Sequence, residues 1–162
     1  MTNTLFILTF VTALGSALNA GLFFIFSVCI MQALGQLEAD EGIGAMQSIN
    51  RVIINPWFMG VFMGTALLCA VIVTIAVLEW SDPAAAPGLG WAMAGGIVYL
   101  LTTIGVTVIF NVPLNNELDR ADPDSAEGAS LWARYLGAWT KWNHVRSVGT
   151  LVSTALLILA LT

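Results

Sequence analysis

Trp139-Thr-Lys-Trp-Asn-His-Val-Arg146 opens the last apolar segment of this 162-residue chain. It holds the only histidine, the only lysine, one of four arginines and two of six tryptophans. On a helix, Trp142 and Asn143 fall one turn before Arg146 and share its face, whereas His144 projects about half a turn away, beside Gly137, Thr140 and Ser147. A cation and an amide entering an apolar run are costly to turn toward hydrocarbon. One face therefore carries a cation, an amide and a large aromatic, and another a titratable group beside small residues that let a neighbouring helix come close; any chemistry of the chain is expected in part here.

The composition sets the class. With 58% hydrophobic and 9% charged residues, the chain falls far below the roughly one-quarter charged typical of soluble domains. It reads as an integral membrane protein of the cell membrane, with the lipid bilayer as its surroundings and residues 1–162 forming a single domain. A net charge of -5 and five scattered basic residues exclude nucleic acid as a partner, since that needs a basic patch. Cys29 and Cys69 lie in apolar runs without a CxxC or CxxH pattern and read as small buried hydrophobes.

Outward from the opening stretch, apolar runs predict an all-α fold, an antiparallel four-helix transmembrane bundle. Helix one covers Leu5 to Leu34, with Asn19 turned inward among Gly15, Ala17 and Gly21. Between helices one and two, Met46, Ile49, Val52 and Ile53 recur at helical spacing and predict a short amphipathic helix near the interface. Helix two runs from Pro56 to Trp80, with Gly60-Val-Phe-Met-Gly64 as a contact surface. A short loop, Ser81 to Gly88, makes helices two and three antiparallel neighbours. Helix three spans Leu89 to Asn111, and Pro113 predicts a break or kink after it. Helix four runs from Ala126 to Thr162, longer than a span requires. Its Trp132, Tyr135, Trp139 and Trp142 read as an interfacial anchor. All five Lys and Arg residues lie on the side carrying both long loops, which the positive-inside rule makes cytoplasmic.

Three polar groups converge at that end: Asn50 and Arg51 before helix two, Asn111 and Asn115 after helix three, and Asn143, His144 and Arg146 entering helix four. Together with Trp142 they predict a mouth of cations and amides above an apolar cavity, suited to a hydrophobic aromatic small molecule bearing a few oxygens. Other readings stand beside this one. Arg51 and Arg146 equally fit snorkelling or pairing with an acid such as Glu117, and Asn111 and Asn115 fit capping of a broken helix. His144, with a pKa near neutrality, is the evident general base. One histidine and two dispersed cysteines do not make a di-iron, haem or zinc site, so neither metal nor cofactor is expected.

The chain resembles the anthrone oxygenase-like family of small four-helix membrane proteins. The resemblance rests on Met46-Gln-Ser-Ile-Asn-Arg-Val-Ile-Ile-Asn-Pro, Phe110-Asn-Val-Pro-Leu-Asn-Asn and the Trp139–Arg146 stretch, and it covers nearly the whole length. It implies a cofactor-independent oxygenase of polyketide tailoring, an oxidoreductase converting an anthrone to an anthraquinone. On that reading His144 takes the benzylic proton and Arg146 is catalytic beside it. Arg51, Asn111 and Asn115 hold the oxyanion, with Asn50, Trp142 and Asn143 completing the substrate-binding wall. The alternative is non-enzymatic: a bundle that binds a lipid or quinone-like ligand, or an accessory subunit of a membrane complex. Enzyme or not, and homo-oligomer or monomer, the sequence leaves open.

Overall fold

The computed structural model describes residues 3–80 and 88–162. The expected loop Ser81 to Gly88 lies, except for Gly88, outside the described residues. Among the described residues there are five helices and no strand: α1 (Asn3–Leu34), α2 (Ala39–Val52), α3 (Pro56–Leu78), α4 (Leu89–Asp119) and α5 (Ala126–Leu159). Three of them, α1, α3 and α4, are long and apolar enough to cross a membrane. The polar face of α5, from Asn143 through Thr154, keeps that helix less apolar, and this face is buried inside the protein.

The long helices pack in a ring, α1 on α3, α3 on α4, α4 on α5 and α5 back on α1. Small side chains and hydroxyls make the closest seams. Ser16 Oγ donates to the Thr150 carbonyl and accepts from Thr154 Oγ1, joining α1 to α5. Thr103 and Thr150 share a 2.6 Å hydroxyl contact, and Ser153 Oγ donates to the Gly95 carbonyl, joining α4 to α5. Asn19 is turned inward as expected, its amide donating to the Tyr99 hydroxyl at 3.0 Å. Such bonds hold helices together where lipid gives no hydrophobic drive for association. Gly60 and Gly64 do not make the expected contact surface, because nothing lies near where their Cβ atoms would be; Gly15, Gly95, Gly96 and Gly149 make the close approaches instead.

At one end of the ring the chain builds a second layer. The amphipathic α2 is longer than its apolar spacing predicted, since it begins at Ala39 with Asp40 and Glu41 in its first turn, where acids favour the helix dipole. It buries Ile43 and Met46 against Met31 and Leu34 of α1, Leu118 of α4, and Trp132, Tyr135 and Trp139 of α5. Trp132, Tyr135 and Trp139 of that stripe are therefore core residues rather than an interfacial anchor, and Trp142 stacks on Phe110 with ring centroids 3.5 Å apart. Gly42 allows the close fit, as a Cβ there would come within 2.8 Å of the Trp132 ring. Gln47 secures α2 by donating to the carbonyls of Leu118 and Ala121 at the end of α4.

Two helix starts follow local rules. Asn55 caps α3 by accepting from the amides of Trp57 and Phe58, with Pro56 in the first turn. Ser125 caps α5 through the Gly128 amide. The break expected at Pro113 is absent: α4 continues to Asp119. The turns just before the proline, Tyr99–Gly105 and Thr107–Asn111, widen to π-helix. Widened turns shift the i→i−4 ladder that the proline ring would otherwise obstruct, so the strain is absorbed without a break. α1 carries a similar segment at Phe26–Ile30.

A methyl group at Gly149 would run into the Thr102 side chain, whereas one at Gly137 meets open space. Gly149→Ala is expected to lose about 1–3 kcal/mol through overpacking. Gly137→Ala is expected to be neutral or stabilising. Unfolding curves of the two variants in detergent check the contrast.

Candidate functional site

Between the helical ring and the layer above it lies an apolar cavity of about 310 Å³, at the small end of the range for ligand pockets. α1 lines it with Phe23 and Phe26, and α2 with Met46, Ile49 and Asn50. The start of α3 adds Phe58 and Phe62, α4 adds Thr107 and Asn115, and α5 adds Trp139 and Arg146. Two of the π-helical segments reach its wall, at Phe26 and at Thr107, which fits the frequent placement of such turns at functional sites. Among the described lining residues Arg146 is the one that carries a charge.

Arg146 is 6% exposed and has no carboxylate partner among the described residues, where the ion pairs are Arg51–Asp119 and Arg134–Glu117, both on the surface. Neutral groups hold it instead. Nη2 donates to Asn143 Oδ1 at 2.7 Å and Nη1 to Thr107 Oγ1 at 3.1 Å. The guanidinium lies 4.4 Å from the Phe23 ring centroid and 5.2 Å from that of Trp139, within cation–π range. Its Nε is buried with no hydrogen-bond partner. A cation at a cavity wall, held by neutral groups alone among the described residues, is a ready receptor for an anionic or strongly polarised oxygen.

Asn143 is fully buried and fully used. Its amide nitrogen donates to the Phe23 carbonyl and to Ser27 Oγ, while its oxygen holds Arg146. It thus ties α5 to α1 and sets the guanidinium, without being among the lining residues. A second polar group lies on α4 and α5. Asn115 Oδ1 accepts from Tyr135 Oη and from Trp139 Nε1, each at 2.8 Å. Burial pushes the Tyr135 phenol above its ordinary pKa, although the neighbouring Asn50 amide favours the anion, so Tyr135 remains a neutral donor. Asn50 Nδ2 is buried without a hydrogen bond of good geometry.

Of the residues expected in the site, Asn50, Asn115 and Arg146 line the cavity. Asn143 supports it from behind. Asn111 is buried and donates to the Trp139 carbonyl, with Oδ1 unpartnered, but it is not a lining residue. Arg51 is exposed and paired with Asp119 at 3.1 Å, as the surface-pairing alternative had it. Trp142 belongs to the stack with Phe110. His144 is exposed and outside the cavity, because a helix that turns Asn143 and Arg146 inward sends the residue between them outward. Cys29 is exposed as well, while Cys69 is buried. Sequence reasoning missed Phe23, Phe26, Thr107, Tyr135 and Trp139. The signal that could have found Tyr135 and Trp139 is their spacing: Trp139 lies seven residues before Arg146, two turns up the same face.

Burying a charge costs stability that an apolar residue of similar size does not. Arg146→Met is therefore expected to unfold at the same temperature as the native protein or higher. Asn143→Ala, which strips the guanidinium and the Phe23 carbonyl of a partner, is expected to lose about 1–3 kcal/mol. Thermal unfolding in detergent separates the two; a large loss from Arg146→Met would mean that the cation is a structural element.

The family model described as anthrone oxygenase matches residues 58–156. The matched segment contains nearly all of α3, the whole of α4 and most of α5, and so includes Asn111, Asn115, Trp142, Asn143, His144 and Arg146. No curated protein and no solved structure matches the chain.

Proposed function

Because the chain belongs to the anthrone oxygenase family, we propose that the cavity binds an anthrone-like polycyclic aromatic and promotes its reaction with O2 without a cofactor. Family membership supports an oxygenase-like activity; substrate and steps are our reading. The observation that carries it is Arg146, a buried cation without a counter-charge, on the wall of a cavity otherwise built from aromatic and aliphatic side chains.

The anthrone carbonyl oxygen accepts a hydrogen bond from the guanidinium of Arg146, which lines the cavity. As the benzylic C–H of the central ring loses its proton to water, the negative charge moves onto that oxygen and is stabilised by the guanidinium more strongly than the neutral ketone was. The electron-rich anthrolate carbon then forms a C–O bond with O2, and the terminal peroxide oxygen takes back a proton from solvent. Loss of the second C–H proton breaks the O–O bond and releases hydroxide, which becomes water. The sum is anthrone plus O2 to anthraquinone plus water, four electrons passing from the ring to oxygen. No imidazole or carboxylate is among the described lining residues, so Arg146 acts by lowering the acidity barrier of the substrate. His144 takes no part.

We read the four long helices as an antiparallel transmembrane bundle, with α5 crossing by its second half and its polar face hidden against α1 and α4. Ile54, Val108 and Val112 at the cavity wall are 73%, 62% and 40% exposed; as an apolar rim they open the cavity toward hydrocarbon, where both O2 and a flat aromatic concentrate. Arg51, Arg120, Arg134 and Lys141 are exposed toward the end carrying both long loops and support a cytoplasmic location for it. The lack of a lining base also favours a second reading, a membrane protein that binds a quinone-like molecule without turning it over.

Oxygen uptake by the purified protein in detergent with emodin anthrone separates the two. The oxygenase reading expects a rate above the buffer blank, reduced about 100-fold in Arg146→Met and unchanged in His144→Ala. A blank-level rate from folded protein leaves the binding reading. Loss of activity in His144→Ala returns the base role to that residue.

A further inference from the structure

Two amide side chains, Asn50 and Asn115, line the cavity beside Arg146. The second is Asn115, whose orientation can be deduced. Trp139 Nε1 can only donate, so the Asn115 atom 2.8 Å from it must be the amide oxygen, and Tyr135 Oη donates to that same oxygen at 2.8 Å. Both lone-pair positions of the oxygen are then used. The amide NH2 has no hydrogen-bond acceptor among the described residues, and Asn115 lines the cavity. Asn50 Nδ2, on the α2 side, is buried beside Tyr135 without a hydrogen bond of good geometry. Thr107 Oγ1 accepts from Arg146 and donates to the Thr103 carbonyl at 2.6 Å, so it offers no compensating acceptor.

We propose that Asn115 is a specificity-determining donor, held by Trp139 and Tyr135 with its NH2 toward the ligand, so that the cavity selects flat aromatics carrying acceptor oxygens at two separated positions. This rests on the reading of the cavity as an aromatic-ligand site, and adds to it a donor for a second oxygen, which an anthrone lacks in its ground state and gains at the benzylic carbon when it reacts with O2. The two donors stand at different points of one wall, the guanidinium over the Trp139 ring, 5.2 Å from its centroid, and the Asn115 amide at its indole N–H. Trp139 and Tyr135 are positioning residues: buried, and acting on the ligand through the amide they orient. A ligand lacking the second oxygen leaves the Asn115 donor buried and unpaired, which is where discrimination arises.

Two tricyclic probes that cannot be oxidised at the benzylic carbon test this by equilibrium binding to the full-length protein in lipid nanodiscs. 9,10-Anthraquinone offers two carbonyl oxygens and 10,10-dimethylanthrone only one. Asn115→Asp keeps the acceptor oxygen for Trp139 and Tyr135 but removes the donor. The ratio of the two dissociation constants is expected to shift by about three- to tenfold against anthraquinone in this variant. Trp139→Phe, which frees the amide to turn over, is expected to shift the ratio in the same direction by a smaller factor, and serves if Asn115→Asp fails to fold. A ratio unchanged in both variants, an equal weakening of both probes, or no binding of either probe to the native protein would overturn the proposal. The probes do not turn over, so a preserved preference without oxygen uptake would count against the oxygenase reading alone. Oxygen uptake without any preference would count against the role of Asn115 alone.

Discussion

A guanidinium without a counter-ion, taken out of water, is the constraint from which the rest of this architecture follows. Removing such a charge from water costs several kcal/mol even after relaxation, and no acid approaches Arg146 to offset it. What offsets it is distributed: an amide oxygen from the same helix, a threonine hydroxyl from α4, and the faces of Phe23 and Trp139. Each partner must itself be held. Asn143 is fixed by the Phe23 carbonyl and Ser27 of α1, and Thr107 by the Thr103 carbonyl. The groups that offset the cation thus come from three helices, and the hydroxyl seams below it continue the same junction.

The layer above the ring has a different basis. It is an ordinary hydrophobic core in miniature, nine buried residues from four helices, and it needs α2 to close it. The two layers meet at Trp139. One face of that indole supports the guanidinium, its N–H holds Asn115, and its ring packs with Phe26 and Tyr135. The cavity is the space left where the polar junction and the aromatic core fail to fill the gap between them, which explains why its wall is apolar except for a few donors.

The helices and the convergence of Asn50, Asn115, Asn143 and Arg146 at one end were legible because apolar run length and helical spacing carry that information directly. Their partners were not. Nothing local distinguishes a tryptophan that anchors at an interface from one that packs against an amphipathic helix folded back over it, so Trp132, Tyr135 and Trp139 read as a belt. His144 drew attention as the only histidine, yet the phase that puts Asn143 and Arg146 inside puts it outside; chemistry was weighted there above geometry. Pro113 misled in the opposite sense. Its local rule predicts a break, and the rule fails because the turns before it are already widened.

Those widened turns bear on how the site is encoded. A π-helical stretch accommodates an extra residue in a helix without ending it. Deleting one residue within 99–105 would let those turns tighten to ordinary pitch, the missing residue offset by the greater rotation of each one that remains, so that Thr107, Asn111 and Asn115 would still face the cavity. The regular turns of α5 have no such slack: one residue lost between Trp139 and Arg146 would swing the guanidinium by roughly 100° relative to the indole it lies over. The same change of length is thus absorbed in one helix of the site and ruinous in its neighbour.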